Sequence, residues 1–135
     1  MVIIDTGPII ALFDASEPTH EICKTTLQEI NDDLATSWSV LTEAFYMLED
    51  WKTGQENLWN FILAGAVQIY EIQPSHFSRL QELMRKYADR PMDLADATIV
   101  LIAEALKIRT IFTLDKTDFA IYRPRHCRHF EIIPE

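Results

Sequence analysis

The chain has 135 residues, 48% of them hydrophobic and 24% charged, with 3 Gly; this predicts one compact domain over 1–135 and excludes disorder, collagen-like repeats and low complexity. Twelve basic against 21 acidic side chains give a net charge of −9, so the surface as a whole repels polyphosphate unless cations or a basic partner mask the carboxylates. Up to Ser78 the basic residues are Lys24 and Lys52 against 12 acids, whereas the rest of the chain carries 10 basic and 9 acidic residues and all the arginines. No apolar run reaches the roughly 18 to 20 residues that span a bilayer, and Met1-Val2-Ile3-Ile4-Asp5 lacks a basic start and a cleavage site; a cytoplasmic protein with no membrane contact is expected. Cys23 and Cys127 are far apart, with no partner at metal-knuckle spacing, and read as free thiols.

Val2-Ile3-Ile4 is a short β-branched run broken by Asp5-Thr6-Gly7-Pro8, the pattern of a buried strand ending in a turn. A short helix over Ile9 to Phe13 follows, and Ser16-Glu17-Pro18 reads as the cap of a second helix running to about Ile30. Leu34-Ala35-Thr36 is short enough for a second strand, after which Ser37 or Ser39 caps a helix that turns Leu41, Phe45 and Leu48 inward and carries Glu43. Trp51-Lys52-Thr53-Gly54 interrupts the pattern, and helical spacing resumes from Leu58 to Ala64. Val67 to Ile72 alternates with period two, a third strand. Ser75 is expected to cap a helix over His76 to Tyr87, and Asp93 to open another through Leu106. Thr110 to Thr113 reads as a fourth strand ended by Asp115, and Phe130 to Ile133 as a last edge strand. Strands alternating with helices predict right-handed crossovers and a parallel central sheet covered on both faces, a three-layer α/β/α domain. In such sheets ligands sit beyond the carboxyl ends of the strands, where Asp5 and Asp115 fall.

The informative acids are those inside apolar stretches: Asp5 after Val-Ile-Ile, Glu43 between Val40-Leu41-Thr42 and Ala44-Phe45, Asp96 within Leu94 to Ile102, and Asp115 after Ile111 to Leu114. A lone ionised carboxylate in a buried helix costs several kcal/mol or protonates. Asp93 and Asp96 share one helix face near an amino terminus, where the dipole supplies roughly 0.3 to 1 kcal/mol, too little for a cluster. If the four acids converge, a cation has to offset them, and hard oxygen ligands without nearby His or Cys favour Mg²⁺ or Mn²⁺ over zinc. Each acid also has a plainer role open to it. Asp5 and Asp115 fit turn formation, Asp93 fits a helix cap, Asp118 a surface turn, and Glu43 a solvated helix face.

Taken together, Asp5-Thr6-Gly7 after an N-terminal strand, Glu43, Leu94-Ala95-Asp96-Ala97 opening an apolar helix, and Thr113-Leu114-Asp115-Lys116-Thr117-Asp118-Phe119 after a strand resemble the PIN-domain ribonucleases, and within them the VapC-like toxins of toxin–antitoxin pairs. The resemblance spans essentially the whole chain. It implies a PIN-like α/β/α fold, an acidic quartet of Asp5, Glu43, Asp96 and Asp115 binding Mg²⁺ or Mn²⁺, accessory places for Thr6, Asp93, Thr113 and Asp118, an RNA substrate, a small antitoxin and a homodimer. The chemistry agrees independently, since phosphodiester hydrolysis needs an activated in-line water and charge stabilisation that one or two divalent metals provide.

Arg123-Pro124-Arg125-His126-Cys127-Arg128-His129 is the one dense basic stretch, and Arg123, Arg125 and Arg128 are candidates for phosphate contact, with a solvated edge loop as the alternative. Its His and Cys lack the second pair that a metal site needs. Trp38, Trp51 and Trp59 read as core or interface residues rather than base-stacking platforms. Tyr46, Met47 and Trp51 fit either a groove for an antitoxin segment or, preferably, core packing. Two other functions compete: a noncatalytic RNA-binding relative, and a phosphoacceptor receiver domain, which should carry paired acids after the first strand.

Overall fold

The β-branched run Val2–Ile4 forms β1, the central strand, pairing on both sides and buried along its whole length under the helices that cover both sheet faces. The computed structural model describes residues 1–135. After β1 come α1 (Thr6–Phe13), α2 (His20–Glu29), β2 (Leu34–Thr36), α3 (Trp38–Met47), α4 (Lys52–Leu63), β3 (Val67–Ile69), a 3₁₀ turn (Pro74–His76), α5 (Phe77–Lys86), α6 (Leu94–Leu106), β4 (Thr110–Phe112), α7 (Lys116–Ile121) and β5 (Glu131–Ile133). The five strands are all parallel, in the order β3-β2-β1-β4-β5. Val2 is in register with Leu34 on one side and Thr110 on the other. The chain moves outward from β1 through β2 to β3, then returns to lay β4 on the opposite side of β1. Right-handed crossovers in opposite directions place helices on opposite faces, so the expected three layers form. The reversal of direction makes a crevice between the carboxyl ends of β1 and β4, the usual ligand site of such sheets.

A core of 32 buried hydrophobic residues runs through sheet and helices. The helix α6 is its largest single contributor, with Ala95 and every residue from Ala97 to Ala103 buried, as its nearly all-round apolar sequence requires. On the other side of the sheet, α1 packs against α2 and α3. Cys23 is buried, Cys127 is half-buried, and both thiols are free.

Several boundaries differ from expectation, each for a local reason. The helix α1 begins at Thr6 rather than Ile9, because the Asp5 side chain accepts the Thr6 amide and starts the helix at once. Ser16 does not cap α2. Its amide and hydroxyl both bind Asp14 Oδ1, at 3.0 and 2.6 Å, which holds a turn and delays the helix to His20. Ser37, not Ser39, caps α3 through Val40. The strand β3 stops at Ile69 instead of Ile72, since its one neighbour, β2, is only three residues long. Ser75 lies inside the 3₁₀ turn, with Gln73 as its cap. Asp115-Lys116-Thr117-Asp118, for which a turn is one reading, opens α7, which the Asp115 side chain caps and the buried Phe119 anchors.

Helix α4 starts six residues earlier than its apolar spacing suggests, running through Lys52-Thr53-Gly54. Gly54 is tolerated because the space of a side chain is already filled. A Cβ there would overlap the Trp51 ring and lie 2.6 Å from the Phe13 carbonyl oxygen. Gly54→Ala is therefore expected to destabilise the fold by about 1–3 kcal/mol despite alanine's better helix propensity. A lowered denaturation midpoint with unchanged slope is the signature to look for.

For Tyr46, Met47 and Trp51 the structure overturns the preferred core packing, and of the core-or-interface reading of the three tryptophans it removes the core. Trp38, Trp51 and Trp59 are 47, 49 and 43% exposed, and Tyr46 and Met47 are 70 and 60% exposed, so none of them packs in the core. On the α3–α4 hairpin Trp59 stacks on Phe45, with ring centres 4.8 Å apart, and Leu63 is also exposed. Apolar periodicity marked these residues as packed, but it cannot say whether the packing partner belongs to the same chain.

Candidate metal centre

Three helices begin on aspartate side chains beside the crevice. Asp5 caps α1, Asp93 caps α6 and Asp115 caps α7. The last two use the same device at the same spacing. Asp93 Oδ1 accepts the Asp96 amide at 2.8 Å, and Asp115 Oδ1 accepts the Asp118 amide at 3.1 Å. Each cap thus delivers a second aspartate onto the first turn of its helix, where the macrodipole favours negative charge.

Asp5 is the most enclosed of the acids, only 8% exposed. Its Oδ1 accepts the Thr6 amide and its Oδ2 the Thr113 hydroxyl, both at 2.7 Å. Thr113 in turn accepts the Asp115 amide at 3.0 Å, so one buried hydroxyl links the acid after β1 to the acid after β4. Burial raises the Asp5 pKa to about 6, with the Glu43 and Asp115 charges adding to it against the two hydrogen bonds. Asp96 is half-buried, and its Oδ2 accepts the Tyr122 hydroxyl at 2.8 Å. Burial, followed by the charges of Asp93, Asp5 and Asp115, lifts its pKa to about 7 although the Tyr122 bond opposes the shift. Asp115 is raised too, first by desolvation and then by its acidic neighbours.

Carboxylate oxygens of Asp96, Asp115 and Asp118 lie within 4.8 Å of one another. Asp5 is outside this tightest group, yet close enough for the Asp115 charge to raise its pKa and for its own charge to raise that of Asp96. Glu43, half-buried on α3, faces the pocket from the other side. It lines a groove of about 550 Å³ with Ser39, Thr42, Tyr46, Asp93, Leu94 and Ala95. Against these acids stands one basic side chain at ion-pair distance, Arg90, whose Nη1 is 3.7 Å from Asp118. The hydroxyl of Thr6 is buried without a partner.

This donor set fits a divalent metal. It is all oxygen, it carries more negative charge than one arginine offsets, and its pKa values show the cost of holding that charge without a counter-ion. Asp118, expected as a surface turn or accessory residue, is half-buried and belongs to the close group. Its three-residue spacing from Asp115 matches that of Asp93 and Asp96, the signal that it shares their arrangement. Tyr122 and Arg90 escaped the sequence reading, because an isolated tyrosine or arginine carries no spacing pattern.

The basic stretch is not gathered at the acids. Arg123 is nearest, next to Tyr122, with its Nη1 on the carbonyls of Ala120 and Tyr122 at 2.6 and 3.2 Å. The Arg125 amide binds Glu104, eight residues or about 12 Å along α6 from Asp96, and its guanidinium pairs with Glu82 at 3.2 Å. Arg128 lines a pocket with Arg109, His129 and Glu131, at the amino ends of β4 and β5.

An open parallel sheet whose carboxyl-end crevice is lined with aspartates on helix caps defines a class of acid-pocket α/β domains suited to metal-assisted phosphoryl chemistry. A PIN-domain family model matches residues 2–123; the chain belongs to the PIN-domain family. It is 29% identical over 136 residues to Ribonuclease VapC26 of Mycobacterium tuberculosis, covering 98% of this chain and all of that protein. The fold is similar to the crystal structure of M. tuberculosis VapC20, described as a Sarcin-Ricin loop cleaving toxin, with TM-score 0.79, 18% identity and coverage of 95% of this chain and 99% of that one. A chain of a toxin–antitoxin complex from Klebsiella pneumoniae superposes with TM-score 0.69 and 21% identity, covering 89% of this chain and 91% of that one.

Proposed function

We propose that this protein is a metal-dependent endoribonuclease and the toxin of a toxin–antitoxin pair, acting in the cytoplasm with residues 1–135 as one PIN-like unit. The observation that carries the reading is the close grouping of carboxylates in the crevice between β1 and β4, joined to full-length similarity to a ribonuclease. A receiver domain would put paired acids after β1, where Asp5 stands alone. Asp5, Glu43, Asp96 and Asp115 would hold Mg²⁺ or Mn²⁺, with Asp118, Asp93 and Thr6 beside them. When bound, the ion supplies Lewis-acid stabilisation of the phosphodiester and lowers the pKa of the attacking water.

The chain's own residues do the rest. Thr113 fixes the orientation of Asp5 and ties it to Asp115. The helix caps hold Asp96 and Asp118 on rigid first turns. Arg90, at ion-pair distance from Asp118, and Arg123, directly after Tyr122, would meet the RNA backbone there, while Arg125 and Arg128 would lengthen the contact along the C-terminal loop. The exposed Tyr46, Met47, Trp51, Trp59 and Leu63 give the α3–α4 hairpin an apolar surface, which we assign to an antitoxin segment. Its position beside the Glu43 groove would let the segment close the site. The reading also includes self-association into a homodimer.

The direct test is cleavage of a mixed RNA pool by protein freed of any copurifying partner. Mg²⁺ or Mn²⁺ should support cleavage and excess EDTA should abolish it, with recovery on re-addition of the metal. Cleavage that persists undiminished in EDTA would count against a metal centre, and RNA binding without cleavage in any metal would favour the noncatalytic relative.

A further inference from the structure

Tyr122 is fully buried at the end of α7, yet it ends in a hydroxyl. Its ring is fixed by edge-on contacts with Tyr87 and Phe119, with centres 4.9 and 5.1 Å away. Its amide is bound to the Asp118 carbonyl at 3.0 Å. A phenylalanine would fill the same aromatic cluster without the cost of burying a polar group. The hydroxyl has one partner, Asp96 Oδ2 at 2.8 Å. Asp96 Oδ1 receives no hydrogen bond from the protein, which leaves that oxygen free for another ligand.

We propose that Tyr122 is a positioning residue for the metal centre, holding Asp96 by one oxygen so that the carboxylate meets a divalent ion through the other. The inference rests on the metal-nuclease reading above. Tyr122 directly follows the helix that opens with Asp115 and Asp118, whereas Asp96 is on α6. One hydrogen bond therefore sets the distance between the two helix starts whose aspartates form the close group. Hydrogen-bonding partners of this kind orient ligating carboxylates and exclude alternative binding modes.

The test compares Mn²⁺ binding by full-length wild type, Tyr122→Phe and Tyr87→Phe, measured by calorimetry, with circular dichroism as a control for folding. The Tyr87 hydroxyl sits in the same cluster but accepts the Arg123 amide at 2.8 Å and touches no acid. Tyr122→Phe should weaken Mn²⁺ binding by about 10- to 100-fold and raise the Mn²⁺ concentration needed for half-maximal RNA cleavage. Tyr87→Phe should lower the melting temperature and leave Mn²⁺ affinity unchanged. A folded Tyr122→Phe protein with wild-type Mn²⁺ affinity overturns the inference while sparing the metal centre. Wild type that binds no Mn²⁺ overturns the metal centre and the inference together. If Tyr122→Phe does not fold, a structure of Mn²⁺-loaded wild type decides. Asp96 Oδ2 should remain on the Tyr122 hydroxyl with Oδ1 on the ion, and both oxygens on the ion would refute the role.

Discussion

Asp5→Asn is expected to cut RNA cleavage by about 10³-fold or more while making the metal-free protein more stable at pH 8. The loss follows from removing an anionic ligand, since the charge stabilisation a metal provides in phosphoryl transfer amounts to several kcal/mol, about 4 for a factor of 10³. The gain follows from the environment of Asp5. Its carboxylate is buried and its pKa is raised to about 6, so without a bound cation the ionised form is an electrostatic burden on the fold. Asparagine keeps the acceptor for the Thr6 amide, and its NH₂ group faces the Thr113 oxygen, which can turn from donor to acceptor. Single-turnover cleavage rates and melting curves in EDTA measure the two effects on one preparation. A variant that cleaves within tenfold of wild type would remove Asp5 from the machinery, and one that is simply unfolded would show Asp5 to be structural.

The same burden predicts how stability depends on pH. Asp5 and Asp96 have folded pKa values of about 6 and about 7 against 3.8 for a free aspartate. Below that free value both states are protonated and the pair has no effect on stability. Between it and the folded values the unfolded chain releases protons that the native protein retains, so stability falls as pH rises. The full penalty is present above about pH 7, and for the deeply buried Asp5 it is about 3 kcal/mol. Asp14, Asp32 and Glu104, whose pKa values are lowered, act in the opposite sense, losing their contribution as the solution is acidified. In EDTA the melting temperature should therefore peak near pH 5 and decline toward pH 8. Mg²⁺ or Mn²⁺ takes the place of the retained protons, so the stabilisation it gives should be greater at pH 8 than at pH 5.5. A melting temperature in EDTA that stays flat from pH 5 to 8 would contradict the electrostatic account of the pocket.

How much of this was legible in the chain differs from feature to feature. The five strands could be read because each is a short apolar or alternating run closed by a turn residue, and the sequence order of strands and helices implies the parallel sheet. Helix starts were harder, because Asp5, Asp14 and Asp115 bind nearby amides in ways that either begin a helix or hold a turn. Local composition does not separate the two. Phe119 decided in favour of a helix for 116–121 through a tertiary contact, its burial beside Tyr122. The acids stood out wherever a charge interrupted an apolar stretch, as at Asp5 and Asp96. Asp118 did not, having polar neighbours, and Tyr122 did not, because a tyrosine among apolar residues looks like core. The exposed tryptophans mark the other limit, since a surface made to meet another molecule has the same apolar pattern as one buried within the chain.

The hydrogen bond from Thr113 to Asp5 spans 108 residues of sequence, and this has a consequence for the moment of synthesis. A growing chain presents Asp5 and Glu43 early, but β4 must slide in beside β1 before Asp115 can join them, and Asp96 arrives on a helix made just ahead of it. A chain translated only through residue 90 lacks both Asp96 and Asp115. The two halves of the acidic pocket therefore come together only after β4 has been made and paired with β1, so a partly synthesised chain cannot assemble the proposed metal centre.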